Sequence, residues 1–276
     1  MRKLTLFLLI KYKGVNVVAQ FYEDIKVNNI SLKQRYGLVA VDVTEGSNTR
    51  SFGYERNVEV DDSVGDTPVF IKGKGVRKSF TIELCKIKSN GDIGSVSDRE
   101  LKELGSLFFK NEVVMLEHKG LLYYGMFTNG TTSFSKANKG WMTLGFEMVS
   151  PYAYSRVYVD NNMVTGSKEI TIVNKSTLKD KVYLDMTIVK NGGEQVKVEN
   201  LTTKDYMIFN NLDLKEEVKV LGEGCLEVTS VTNADKNIFN DVEYNSFISL
   251  KCGKNIIKVT GECKIDFKYQ VPHIIK

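Results

Sequence analysis

Apolar and polar residues alternate with a period of two along most of this chain, the mark of strands that bury one face and wet the other. The clearest case sets Met142, Leu144, Phe146 and Met148 against Trp141, Thr143 and Gly145. Pro151 then stops the run, because proline cannot donate to a ladder, and predicts a domain end. Residues 78–87 repeat the pattern, with Phe80, Ile82 and Leu84 opposed to Ser79, Thr81, Glu83 and Cys85. Residues 21–43 read as a hairpin turning at Asn28-Asn29. Residues 50–60 predict a further strand, 61–66 an acidic loop, and Phe70-Ile71 leads into a Gly73-Lys74-Gly75 turn. Strand character resumes at 113–116 and 121–127 around a His118-Lys119-Gly120 turn, and the polar stretch 128–139 connects to the Trp141 strand.

One segment changes period. Ser97-Asp98-Arg99-Glu100 is a capping box, in which the hydroxyl accepts an orphan amide and the Glu carboxylate answers the cap's own N–H. Leu101, Leu104 and Phe108 follow on one face with Leu107 beside them, so 97–109 predicts one amphipathic helix packed on a sheet. Beyond Ser155 helical periodicity ends. Short apolar runs recur at 170–173, 182–189, 195–198, 206–209, 218–221, 226–231, 247–250, 256–259 and 265–269. Punctuated by Asn191-Gly192-Gly193 and Gly222-Glu223-Gly224, they predict a second, all-β sandwich. The expectation is a mainly β protein of two domains, a 21–155 β-sandwich or split barrel with one helix and a 156–276 β-sandwich.

At 276 residues the chain is long enough for two cores. Charged residues are 26% and the net charge is +4, with signs interspersed, which argues against a nucleic-acid-binding face. Residues 1–20 begin with a basic, apolar run, Leu4 to Ile10, followed at once by Lys11 and Lys13 without a small-residue cleavage site. The run is too short to cross a bilayer, and 1–20 reads as an edge strand or an N-terminal extension. Cys85, Cys225, Cys252 and Cys263 form no Cys-x-x-Cys pair and only His118 and His273 could join them, a poor donor set for zinc. A Cys252–Cys263 disulfide is left open, because neighbouring strands would bring the two together.

Candidate chemistry is thin. Gly73-Lys74-Gly75-Val76-Arg77-Lys78 lacks the spacing of a phosphate loop and reads as a hairpin turn. Two histidines and no Gly-x-Ser-x-Gly elbow argue against a hydrolytic triad. Glu55, Glu59, Asp61, Asp62 and Asp66 are the densest carboxylates, yet they lack a calcium-loop order and read as a strand end and loop. Tyr123-Tyr124 and Tyr152/Tyr154 suit core or interface packing better than sugar stacking. No catalytic, cofactor or metal residue is assigned.

The order of several weak motifs resembles the distal tail (Dit) proteins of long-tailed bacteriophages. Asn28-Asn29-Ile30 through Tyr36-Gly37-Leu38-Val39 resembles their opening hairpin, and Asp66-Thr67-Pro68-Val69-Phe70 their lead into a long strand. The capped helix, Tyr123-Tyr124 and Ser150-Pro151-Tyr152-Ala153-Tyr154-Ser155 complete the first domain. Phe247, Leu250, Gly253, Asn255 and Ile256 match a late Leu-x-x-Gly-x-Asn stretch in the second. Residues 1–20 have no counterpart, and the length leaves no room for the sugar-binding insertions some relatives carry.

The resemblance implies a non-enzymatic virion component: a homohexameric ring at the tail tip, made in the host cytoplasm. First domains would surround a channel, and galectin-like second domains would project outward. The implied partners are the tail tube protein, the tail-associated lysin or fibre and a receptor-binding protein, with no membrane and no nucleic acid beyond the channel's passage. Two rival readings are a carbohydrate-binding adhesin of the host wall and a glycan-cleaving tail enzyme. Self-association is expected of the first domain, and a monomer of 157–276.

Overall fold

The computed structural model describes residues 7–12, 15–21, 24–43, 56–61, 69–75, 77–132, 140–178, 181–222, 226–233 and 235–274; in 7–21, 42–43, 56–61 and 69–75 it describes the backbone alone. The chain divides into two compact units, Met1–Ala153 with Ile274–Lys276, and Tyr154–His273. The chain's last residues thus group with the first unit.

In the first unit the strands are β1 (Phe7–Tyr12), β2 (Val15–Phe21), β3 (Lys26–Val27), β4 (Ile30–Ser31), β5 (Leu38–Val43), β6 (Arg56–Asp61), β7 (Val69–Gly75), β8 (Ser79–Lys86), β9 (Val114–His118), β10 (Leu121–Thr132), β11 (Trp141–Met148) and β12 (Tyr152–Tyr154). Helix α1 (Leu32–Tyr36) lies between β4 and β5, and α2 (Asp98–Phe108) between β8 and β9. The main sheet runs β1-β2-β5-β8-β11-β10-β9-β3-β4, and β6–β7 form a separate hairpin.

The alternation of β11 resolves into two faces. Met142, Leu144 and Phe146 pair with Leu84, Ile82 and Phe80 on one face, and Trp141 pairs with Cys85 on the other. The first set joins Leu38, Ala40, Phe127 and the α2 residues Leu104, Leu107 and Phe108 in one core; the second joins Val39 and Val41 in a smaller cluster. The central strands are therefore buried on both sides at the Cys85–Trp141 end, while Ser79 and Thr81 at the other end of β8 are exposed. An aromatic ladder runs through the larger core, from Phe108 to Phe127 (4.8 Å), Phe146 (5.1 Å), Phe80 (5.4 Å) and Tyr123 (5.6 Å between centroids). Each such ring contributes roughly 1.5–3 kcal/mol by leaving water.

Helix α2 starts as its sequence predicts. Glu100 N donates to Ser97 Oγ at 3.3 Å and Ser97 N to Glu100 Oε2 at 2.8 Å. Partial burial raises the Glu100 carboxyl, but the Lys86 ammonium and the Ser97 donors outweigh it and hold the group below its usual range. Helix α1 is an addition to the expected single helix, set inside the predicted 21–43 hairpin. The Asn28-Asn29 turn is present, with φ of 48° and 66°. The strand after it is only β4, because Gln34 N donates to Ser31 Oγ at 3.0 Å and starts a helical turn that Gly37 ends at φ 68°. The predicted edge strand in 1–20 is a hairpin, β1 with β2, and among the described residues β1 is the last strand of the sheet.

The second unit contains β13 (Tyr158–Asn174), β14 (Val182–Tyr183), β15 (Asp185–Asn200), β16 (Tyr206–Phe209), β17 (Glu217–Leu221), β18 (Glu227–Ser230), β19 (Val242–Tyr244), β20 (Ser249–Leu250) and β21 (Gly253–Tyr269), and the final β22 (Pro272–Ile274) spans the boundary between the units. Its sheet runs β13-β21-β15-β16-β19, with β17 and β18 branching from β15, and β14 pairs with β20.

Runs that the sequence separates are continuous here. Residues 256–259 and 265–269 both lie on β21, and 182–189 and 195–198 both fall largely on β15. A strand of 17 residues extends about 55 Å, whereas a unit of this size has a radius of gyration of only about 14 Å. The ribbon must fold over, and the glycines mark where. Gly166 (φ 84°) lies opposite Gly261 (φ 130°), and the β15–β21 register breaks between Lys190 and Lys197. Gly261 occupies an inward position where a Cβ would stand 2.7 Å from the Gln195 carbonyl oxygen. Ile257 and Val259 on one side of the crease, and Cys263, Ile265 and Phe267 on the other, enter one common core.

This continuity closes the disulfide question. Cys252 immediately precedes β21 and Cys263 lies on that same strand, so the two stand along one continuous strand rather than on neighbouring strands. Both are free, Cys263 buried and Cys252 exposed; Cys225 lies outside the described residues.

Candidate functional site

The residues with chemical potential do not converge. Gly73, Lys74 and Gly75 lie in β7, laddered to Val58, Asn57 and Arg56 rather than leading into a helix. Glu59 and Asp61 lie on β6, while Glu55, Asp62 and Asp66 fall outside the described residues. Trp141 is 5% exposed and Tyr123 8%, both in cores, so neither presents a face to a sugar. Tyr152 and Tyr154 are half-buried either side of the fully buried Ala153. His118 ends β9 beside a small pocket of about 170 Å³ that Glu83, Phe80 and Lys119 also line. Burial lowers the His273 pKa and favours neutral imidazole.

The thiols are held protonated. Burial pushes Cys85 up to about 12 and Cys263 up to about 11, so neither supplies a thiolate near neutral pH. No group of metal-ligating side chains occurs among the described residues, and no described helix is long and apolar enough to cross a membrane.

Two arrangements stand out instead. The first is the pair of sheet ends in the first unit. Among the described residues, strand β1 pairs only with β2, and β4 only with β3. The β3–β4 end is rigid: Asn28 N donates to Met115 O at 2.8 Å, Met115 N to Asn28 Oδ1 at 2.9 Å, and Lys26 Nζ lies 3.3 Å from Glu117 Oε2. Ser31 Oγ also donates to Asp24 Oδ1 at 2.8 Å. A terminal strand with unmatched backbone groups is a template for a strand from another chain.

The second is a buried polar corner around Leu250, Gly253 and Asn255, the stretch singled out by its Leu-x-x-Gly-x-Asn order. Asn255 Nδ2 donates to Lys251 O (2.8 Å) and Gly253 O (3.0 Å), and its Oδ1 accepts from Lys251 N at 3.1 Å. The asparagine thus satisfies the backbone of its own turn, and Gly253 supplies the positive φ of 96° the turn needs. Asn200 donates to Ser249 O, and Asn174 to Leu250 O at 3.2 Å. Asp205, 4% exposed, accepts from Thr203 Oγ1 (2.7 Å), Ser249 N (3.1 Å) and Ser249 Oγ. Composition gives no signal for Asn174, Asn200 or Asp205. The only clue was polar residues at inward positions of otherwise apolar alternation.

Comparison with known proteins bears on this architecture. Residues 152–269 match a family model described as the phage tail C-terminal domain. SPP1 Dit, described as a paradigm of the hub adsorption apparatus in phages infecting Gram-positive bacteria, superposes over 90% of this chain and 98% of its own, with a TM-score of 0.58 at 13% identity. The fold is that of a distal tail protein. A chain of the phage P2 baseplate in its activated, Ca-bound conformation aligns over 86% of this chain and 91% of its own, at 11% identity and a TM-score of 0.46. The SPbeta prophage-derived protein YomH of Bacillus subtilis (strain 168) is 26% identical over 158 residues, which is 56% of this chain and 60% of that relative's length. The distal-tail fold is mainly β, with α2 covering the first unit's sheet and the second unit built from strands and a 3-10 turn.

Proposed function

We propose that this chain is a structural distal tail protein, a non-enzymatic component of the virion that closes into a hexameric ring at the tail tip. The observation that carries the reading is the likeness to SPP1 Dit across nine-tenths of the chain. The sheet topology gives it a physical route. Ring closure requires two different, complementary surfaces on each subunit, and among the described residues β1 and β4 are the two different ends of one sheet. Pairing β1 of one copy with the β3–β4 end of the next satisfies the edge groups of both.

In this reading the ring joins the last tail-tube ring to the lysin or fibre and supports a receptor-binding protein, and the second unit is a galectin-like domain that stays monomeric when isolated. The burial of Trp141 and Tyr123 counts against the carbohydrate-binding alternative, since aromatic platforms need exposed faces. Light scattering with negative-stain imaging of the purified chain tests the ring. Six subunits of 31.2 kDa give about 187 kDa, and a six-fold annulus of that mass is expected; a two-fold dimer or an open filament would defeat it.

A further inference from the structure

The polar corner of the second unit gathers several exposed lysines from separate segments. Its four segments, 174–178, 181–183, 200–205 and 249–255, are tied together by the Asn174, Asn200, Asp205 and Asn255 hydrogen bonds, by the β14–β20 pair, and by Cys252 Sγ donating to Ser176 O at 3.3 Å. Lys175, Lys181, Lys204, Lys251 and Lys254 all sit in these segments, and all five are exposed. The segments contain one carboxylate, Asp205. It is buried and engaged by Thr203 and Ser249, with Lys181 3.7 Å away.

Among the described residues no carboxylate lies within ion-pair distance of Lys175, Lys204, Lys251 or Lys254. Elsewhere on this unit three lysines are matched by carboxylates, Lys197 to Glu199 at 3.2 Å, Lys236 to Glu216 at 2.8 Å and Lys264 to Asp266 at 3.3 Å, while Lys168 and Lys215 donate to the amide oxygens of Asn162 and Asn191. Lys258 is laddered between Glu169 and Glu199.

We propose that this corner binds a flexible polyanion whose charges are phosphates and which carries no bases. Five ammoniums on a fixed backbone form a set of point charges with rotatable donors, which suits phosphate groups arriving from several directions. Recognition of planar carboxylates favours the bidentate fork of arginine, and none is present here. An acidic peptide would also need apolar anchors, and none of the unit's exposed large apolar residues falls in these segments among the described residues. Single-stranded nucleic acid stacks its bases on exposed aromatic rings; the one aromatic residue here, Tyr183, is partly buried against the core. The proposal stands apart from the ring reading, because capture of a polymer is measured on the chain whatever its oligomeric state.

The test is a titration of the full chain with labelled inorganic polyphosphate at low salt. Log-log salt dependence of about −0.7 per neutralised phosphate gives a slope near −3.5 for five lysines, falling to about −1.4 when three are removed. The Lys175→Gln, Lys251→Gln, Lys254→Gln triple variant should weaken binding at least tenfold with an unchanged melting temperature. A control triple, Lys258→Gln, Lys264→Gln, Lys268→Gln, should stay within about twofold. Absence of polyphosphate binding by the wild-type chain, or equal binding by the corner variant, overturns the proposal. So does binding of poly-glutamate or oligothymidylate of equal charge that matches or exceeds that of polyphosphate.

Discussion

The two units solve the same problem, a buried β core, with different chemistry. The first stacks aromatic rings, from Phe108 on α2 through Phe127, Phe146 and Phe80 to Tyr123. The second folds long strands at a glycine crease over an aliphatic interior and pins its loops with buried polar side chains, Asn174, Asn200, Asp205, Glu216 and Asn255. The difference teaches where each unit is vulnerable. Aromatic packing is graded by volume, while a buried polar network fails when one partner is removed.

The largest expected effect is therefore in the first unit. Phe146→Ala should cost about 3–5 kcal/mol in chemical denaturation, because the ring is 1% exposed and flanked by two others. An effect under 1 kcal/mol would show that the ladder packs loosely. In the second unit Asp205→Ala should cost about 2–3 kcal/mol by stranding Ser249 and Thr203 donors, and Asp205→Asn should recover part of it. If Asp205→Ala were neutral, the corner would owe its order to strand packing alone.

A smaller, pH-dependent effect lies at Glu216. Its Oε2 accepts from Asp213 N and Lys236 Nζ and its Oε1 from Ser230 Oγ, all at 2.8 Å. Burial raises this carboxyl, but the Lys236, Asp213 and Ser230 donors outweigh it and bring it below its ordinary 4.5. A lowered carboxyl stabilises the fold above its unfolded value, and that contribution is lost as pH falls from 4.5 through the lower folded value. Lys236 is raised above 10.5, mainly by its hydrogen bond to Glu216, so its share fades only as pH climbs beyond 10.5. Glu216→Gln should cost about 1.5–2 kcal/mol at neutral pH and flatten the acid limb of the stability profile; an unchanged limb would assign it to other carboxylates. The smallest effect belongs to Ser97→Ala, about 1 kcal/mol from the lost cap of α2, read by thermal melting.

Legibility in the sequence divides along the same line. Helix α2 and the β8 and β11 alternation follow directly from Ser97, Glu100 and the period-two pattern, since local signals and tertiary packing agree there. Helix α1 was masked by the alternation around it, although Ser31-Leu32-Lys33-Gln34 carries a capping signal. The long strands look like fragments in the sequence because Gly192, Gly193 and Gly261 are usually turn signals, and only tertiary folding shows them creasing continuous strands. The role of Asn255 was visible as a family resemblance before its physical reason, satisfaction of its own turn's backbone, could be seen. The corner lysines carried no local signal at all, because the four segments that bring them together lie far apart in sequence.

The central claim, self-association through the sheet ends of the first unit, is tested most directly by hydrogen exchange on the assembled chain against the same chain dissociated. The account predicts slowed exchange in β1 and the β3–β4 end on assembly, with 154–273 unchanged. Protection gained instead along β13 or β19, with β1 and β4 indifferent, would contradict it.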